Sequence, residues 1–255
     1  MGFRVVALDI DNTLADFMGK KRQTALAAAR AMRKAGLRKS EKQVLKAFYK
    51  VYDVYGVEFN KSISRTLVAL GVPPGNGFEK VQQAGLNAYL RARLELRAYP
   101  DVKPTLSVLK KRGIILAVVT DSPRNKAWHR LDLTGLSGFF DTDFVVTLDD
   151  TLERKPSKSP FKLLFEKLKK KSKNLKSSEV LMVGDHPGKD VVGAKAAGFK
   201  AALAVYGKED LSSEMRRVKA LGLPHAFDFY VPKSEYSVKP DFEIKRFRDL
   251  LKIVK

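Results

Sequence analysis

With 255 residues, 44% of them apolar, the chain is long enough for one packed core plus a smaller module. It has no cysteine, which excludes disulfides, thiolate metal sites and a cysteine nucleophile, and no apolar run approaches the length of a membrane span. Lys and Arg number 49 against 28 Asp and Glu, a formal net charge of +21, so polyanions and small phosphorylated molecules both come into question as partners.

The chain starts with an apolar run, Val5-Val6-Ala7-Leu8, of the kind a buried parallel strand needs, and then turns into Asp9-Ile10-Asp11-Asn12-Thr13. If strand geometry persists, Asp9 and Asp11 point the same way. Two carboxylates side by side repel unless a cation or a shared proton relieves them, and Mg²⁺ is a hard cation that takes oxygen ligands. The bland alternative for this pair alone is loop or helix-capping chemistry. No basic leader, apolar segment and small-residue cleavage site precede the run, so a cytoplasmic protein is expected.

From Phe17 to about Leu96 the pattern is helical. Ala25, Ala28, Ala29 and Met32 make one apolar stripe that Gly36 closes, and Ser40 with Gln43 forms a capping box for a helix carrying Val44, Phe48, Val51, Tyr52 and Tyr55. Asn60 is read as the cap of a third helix with Ile63, Leu67 and Leu70 inward. Val72-Pro73-Pro74-Gly75-Asn76-Gly77 is a turn, and a fourth helix carries Phe78, Val81, Gly85, Tyr89 and Ala92. Residues 17–96 are thus predicted to be a helical insertion with its own small core, set within a main domain of residues 1–16 and 97–255. Basic residues crowd the first two helices. A solvated polar face accounts for such charges, and the sharper reading is that Lys20, Lys21 or Arg22, nearest the acidic loop, steers an anionic substrate.

Val102, Leu106 and Leu109, with Gly113 after them, read as a crossover helix delivering a second strand at 114–119, which ends in Thr120-Asp121-Ser122. A helix after Pro123 carries Trp128 and His129, read as packing or surface groups. A strand at 144–146 precedes Lys155-Pro156, and residues 161–168 form a further helix. Val180-Leu181-Met182-Val183 ends in Gly184-Asp185-His186-Pro187-Gly188-Lys189-Asp190. Residues 191–197 are a helix that Gly198 stops, 201–205 a strand, and 240–254 a last strand and helix. Strands alternating with helices argue for an α/β fold, a doubly wound Rossmann-like parallel sheet with the inserted all-helical module. In such a sheet the groups at the carboxyl ends of strands converge on one crevice, which gathers carboxylates, a hydroxyl and a lysine around one point.

The set DIDNTL, VVTDS, a KP-containing segment and GD with a further Asp, in that order along almost the whole chain, resembles the haloacid dehalogenase superfamily of aspartate-nucleophile phosphohydrolases. TDSPRNKAWHRLDLTGLSGFFD and MVGDHPGKDVVGAKAAGF are similar to its subgroup of archaeal glyceraldehyde-3-phosphate phosphatases, N-acylneuraminate-9-phosphate phosphatases and phosphoglycolate phosphatases. The resemblance implies Mg²⁺-dependent hydrolysis of a small phosphorylated metabolite through a covalent aspartyl phosphate. Asp9 is then the nucleophile, ionised if it keeps a reference pKa near 3.9, and Asp11 the general acid and base. Thr120 and Lys155 contact phosphoryl oxygens. The Asp9 carboxylate, the Asp11 main-chain carbonyl and Asp185 hold the metal, and Asp190 supports it or ligates it directly. Substrate contacts are assigned to Thr13, Asp121, Lys20, Lys21 and Arg22, and residues 17–96 become the cap that selects the substrate.

Asp11 implies a phosphatase or phosphomutase, since the family's dehalogenases and phosphonatases lack an acid there. Asn12 stands where Gly is common and Lys158 where Pro is common, and neither change removes a catalytic group. His186 is read as a loop-structural residue. The stretch 206–239 is longer than the resemblance leads one to expect; within it, 225–231 alternates like a strand and is read as a structural addition or dimer contact. Two competing functions remain. A phosphomutase would use the same residues, and a nucleic-acid-binding protein that trims terminal phosphates would suit the charge, although no binding motif or aromatic stacking signature accompanies it. No membrane partner is expected, and the chain is a monomer or homodimer.

Overall fold

The structure, a computed structural model, describes residues 2–223 and 238–255. In chain order the elements are β1 (Val5–Leu8), α1 (Phe17–Lys34), α2 (Glu41–Tyr55), α3 (Ser62–Ala69), α4 (Asn76–Arg93), α5 (Val102–Lys111), β2 (Ile115–Val119) and α6 (Arg124–Leu133). They continue with β3 (Val145–Val146), α7 (Leu148–Thr151), α8 (Lys158–Lys171), β4 (Val180–Gly184), α9 (Val192–Ala196), β5 (Lys200–Ala204), α10 (Val205–Ala220), β6 (Phe242–Ile244) and α11 (Leu250–Ile253). The described residues divide into two compact units: 2–16, 97–210 and 238–255 form one, 17–96 and 211–223 the other.

The first unit is a six-stranded parallel sheet in the order β3-β2-β1-β4-β5-β6. Side chains alternate across it, as the two-residue period of a strand requires. Val6 and Leu8 join Val102, Leu106 and Leu109 of α5, Ala127 and Leu131 of α6 and Leu250 of α11 on one face. Val5 and Ala7 join Phe161, Leu164 and Leu168 of α8 and Ala194 of α9 on the other. With both faces covered, β1 and β4 are buried along their whole length, which is why they read as unbroken apolar runs. Each large side chain so buried contributes about 1.5–3 kcal/mol.

The register places the site. Leu8 lies beside Val118 of β2 on one side and Val183 of β4 on the other, so the three strands end nearly in step. The chain order reverses between β1 and β4, where open parallel sheets leave a crevice beyond the strand ends.

Among its described residues, the second unit has helices and no strand. Ala25, Ala28, Ala29 and Met32 of α1, Val44, Phe48 and Tyr52 of α2, Ile63 and Leu67 of α3 and Val81 and Tyr89 of α4 make its core. The Ser40–Gln43 capping box is present with both reciprocal bonds. Gly85 lets α1 and α4 come close, since a Cβ there would lie 2.6 Å from Met32 Cγ.

Several expectations need correction. Asn60 does not cap α3; Lys61 stands at that position without a side-chain bond. Val205 starts α10 rather than ending a strand, and residues 206–220 are helical. The main domain does not run unbroken over 97–255. Leu211, Met215 and Val218 share one face of α10 and pack in the helical unit's core, where buried Glu214 accepts a hydrogen bond from Tyr49 Oη and pairs with Arg22 at 3.2 Å. An amphipathic segment is placed by whichever core its stripe meets, and spacing alone does not name that core. The strand-like run 225–231 lies outside the described residues. Among the described residues, no helix is long and apolar enough to cross a membrane.

Candidate active site

β1 stops at Leu8, and the following loop is closed by bonds from Asn12 N to Ala15 O (2.8 Å) and Leu14 N to Ile10 O (2.9 Å). Strand geometry therefore does not persist through Asp11, and the two carboxylates meet different neighbours. Asn12 has φ 57°, a left-handed conformation that Gly or Asn adopts most readily, so Asn replaces the commoner Gly at little cost. Gly207, in the first turn of α10, lies against this loop. A Cβ there would fall 1.8 Å from Asn12 O. One residue earlier, Tyr206 Oη donates to Thr13 O at 2.7 Å.

Asp9 faces a buried charge cluster. Lys155 Nζ donates to Asp9 Oδ1 and to Asp190 Oδ1, both at 2.6 Å, and to Val119 O at 3.1 Å. Asp185 completes the group: Asp9, Asp185 and Asp190 each present a buried carboxylate oxygen, all within 4.8 Å of one another. Gly184 allows this crowding, because a Cβ there would sit 2.2 Å from the Asp190 carboxyl. Asp190 Oδ2 accepts from His186 N at 3.0 Å, and His186 Nδ1 accepts from Lys189 N at 3.2 Å, so His186 serves the loop as expected. Thr13 is wholly buried, with its hydroxyl 3.4 Å from Asp185 Oδ1.

One lysine does not balance three buried carboxylates. Burial raises Asp9 from an ordinary 3.8 to about 7; Lys155 pulls against this, while Asp190 and Asp11 add to it. Burial also raises Asp185 well above the usual range, with Asp9 and Asp190 adding repulsion. The low reference value of a carboxylate thus does not describe Asp9 in the ion-free cluster, and a bound cation would restore its charge. Lys155 is lowered by burial but, on balance, raised well above its ordinary value by Asp190, Asp9 and Asp121, so it stays charged. The donor set is all oxygen, crowded and short of positive charge, which fits a hard divalent cation such as Mg²⁺.

The loop after β2 forms the next wall. Thr120 is buried, and its Oγ1 accepts from Ser122 N at 3.2 Å. The Asp121 side chain is engaged within the protein, where Oδ1 accepts from Lys155 N at 2.8 Å and Oδ2 from Lys189 Nζ at 3.3 Å. Asp11 meets Arg130, whose Nη1 lies 3.1 Å from Asp11 Oδ2, and Ser122 Oγ lies 3.5 Å from the same oxygen.

The structure brings together Asp9, Asp185, Asp190 and Lys155, with Asp11, Thr13, Thr120 and Asp121 on the adjoining loops. Lys20, Lys21 and Arg22 belong to the helical unit and are engaged within it. Lys20 pairs with Glu95 at 3.0 Å, Lys21 donates to Tyr89 Oη at 3.3 Å, and Arg22 pairs with Glu214. Sequence reading overlooked Arg130, Lys189 and Gly207. A signal existed for the first, since Arg130 stands with Ala127 and Leu131 on the buried stripe of α6, where a charge is costly unless it is paired.

The chain is similar to known proteins along nearly its whole length. A family model described as hydrolase, haloacid dehalogenase-like hydrolase, matches residues 3–198. The glyceraldehyde 3-phosphate phosphatase of Methanopyrus kandleri is 29% identical over 99% of this chain and 97% of its own length. The phosphoglycolate phosphatase of Aquifex aeolicus is 27% identical over 98% and 96%. Among solved structures, the HAD phosphatase of Thermococcus onnurineus covers 98% of this chain and 97% of its own with a TM-score of 0.59 and 25% identity.

Proposed function

The chain belongs to the haloacid dehalogenase-like hydrolases, and from that premise we propose that it is an Mg²⁺-dependent phosphatase of small phosphorylated metabolites, working through an aspartyl phosphate on Asp9. Substrates the size of glyceraldehyde 3-phosphate or phosphoglycolate, named for its relatives, are the first to test. The observation that carries the reading is Lys155 Nζ held 2.6 Å from both Asp9 and Asp190, beside Asp185.

In this reading Asp9, Asp185 and the Asp11 carbonyl hold the ion, and Asp190 keeps Lys155 and the ion's surroundings in place. Bound there, Mg²⁺ would supply the positive charge that lets an anionic carboxylate approach an anionic phosphate. Lys155 fixes Asp9 Oδ1, which leaves Oδ2 to attack phosphorus. As the O–P bond forms, the bond from phosphorus to the substrate's ester oxygen breaks, and Asp11 gives its proton to that oxygen. Thr120 supports the phosphoryl group: its oxygen already accepts from Ser122 N, so its own proton is the part it can donate. Lys155 adds charge as the transferred group spreads its own. Asp11, now a carboxylate, takes a proton from water; the water oxygen bonds to phosphorus, the bond to Asp9 breaks, and inorganic phosphate leaves. We also propose that residues 17–96 act as the cap that selects the substrate.

A screen of phosphorylated metabolites with Mg²⁺, reading phosphate release, tests the proposal, with Asp9→Asn as the control. The variant should lose at least about a thousandfold in turnover and form no phosphoenzyme. Wild-type activity in Asp9→Asn would reject the scheme, and isomerisation of a sugar phosphate without stoichiometric phosphate release would favour a mutase.

A further inference from the structure

Arg130 lies on α6, and only 5% of its surface is exposed. Its Nη1 stands 3.1 Å from Asp11 Oδ2 and donates to Ser122 Oγ at 2.5 Å. Ser122 in turn lies 3.5 Å from Asp11 Oδ2 and gives its N–H to Thr120 Oγ1. One buried guanidinium thus ties the loop after β1 to the loop after β2. The Asp11 side chain is 25% exposed, whereas that of Arg130 is 6% exposed. Asp11 can therefore meet a substrate atom while Arg130 stays behind it. A buried guanidinium is destabilising unless well paired, and this one is placed at the carboxylate that would carry the proton. Both contacts are made by one nitrogen, Nη1, at the end of a planar group whose direction its burial fixes.

We propose that Arg130 is the positioning residue for Asp11: by holding Oδ2 it sets the orientation of the carboxyl group that gives its proton to the leaving oxygen and, later, accepts one from water. The inference rests on the reading of Asp11 as general acid and base. It makes Arg130 important for proton-dependent steps and unimportant for capturing the phosphoryl group. The leaving group separates the two effects. An alkoxide must be protonated as it departs, and p-nitrophenolate need not be.

The test uses the full chain with Mg²⁺ and single-turnover rapid quench, following phosphoenzyme formation from p-nitrophenyl phosphate and from glycerol 3-phosphate. Arg130→Gln should slow the reaction of glycerol 3-phosphate by roughly 10–100-fold and that of p-nitrophenyl phosphate by less than about threefold, with KM within about twofold for both. Arg130→Lys should recover part of the loss. In an Asp11→Asn background, Arg130→Gln should cost nothing further, since the group it positions is already disabled. If Arg130→Gln does not fold, Arg130→Lys and Ser122→Ala carry the same leaving-group comparison. Equal losses with both substrates, full additivity with Asp11→Asn, or no loss at all would overturn the inference. If Asp11→Asn itself turns over like the wild type, the reading of Asp11 fails too; if Asp11→Asn is impaired and the Arg130 variants are normal, only the positioning role falls.

Discussion

Asp9 shows how far a side chain's chemistry depends on its neighbours. Burial, aided by Asp190 and Asp11 and opposed by Lys155, raises its carboxyl to about 7. In the ion-free protein this bound proton contributes stability that is complete below the ordinary carboxylate range and is lost as pH rises through about 7. A metal ion must displace the same proton, so Mg²⁺ should bind about tenfold or more tightly at pH 8 than at pH 6, and its thermal stabilisation should grow over the same interval. Calorimetric titration and thermal melts at the two pH values check this. Asp185→Asn, which removes one of the three crowded carboxylates, should flatten both trends. Equal Mg²⁺ affinity at pH 6 and pH 8 in the wild type would mean that the cluster is not where the ion binds.

The sequence by itself marks Asp9, Asp185 and Lys155, because each follows a readable strand end and carries chemistry that a loop of ordinary composition does not need. Asp121 looked equivalent by the same logic. The structure gives its two carboxylate oxygens to Lys155 N and Lys189 Nζ, a use that spacing along the chain does not reveal.

Among the elements, α10 has the least legible role. Its first turn serves the sheet unit. Tyr206 bonds Thr13 O, Tyr99 Oη donates to Asp210 at 2.7 Å, and Gly207 leaves no room for a methyl beside Asn12 O. Gly207→Ala should push the Asn12 peptide away, lower kcat by roughly tenfold or more, and destabilise the protein by about 1–3 kcal/mol. Steady-state kinetics and denaturant melts would measure both, and a fully active Gly207→Ala would show that the loop tolerates a shift here. The far end of the last strand depends on a different anchor. Asp241 takes a hydrogen bond from Ala201 N at 2.9 Å and pairs with Lys195 and Lys200, which outweighs the effect of burial and holds its carboxyl below the usual range. This lets a three-residue strand dock on β5.

For the protein taken entire, the charge of +21 is the feature that composition raises and does not explain. Part of it is spent internally, as the pairs of Lys20 with Glu95 and Arg22 with Glu214 show. The remainder should draw phosphorylated anions toward the protein. The kcat/KM for p-nitrophenyl phosphate should fall several-fold between about 0.05 and 0.5 M salt while kcat stays within about twofold. A flat salt profile would show that the charge has no part in substrate capture, and steep salt-sensitive binding of oligonucleotides without turnover would restore the nucleic-acid reading.

The amino-acid order alone determined the parallel sheet, the helical insertion and the four loops that carry the acids, the threonine and the lysine, because strand runs, helix stripes and caps are written in neighbours a few residues apart. Folding in three dimensions decided the rest: that Arg130 meets Asp11 across 119 positions, that burial raises the Asp9 carboxyl to about 7, and that the second half of α10 packs with the helices. Those outcomes depend on burial and on charges brought together from distant segments, and neither can be read from local spacing.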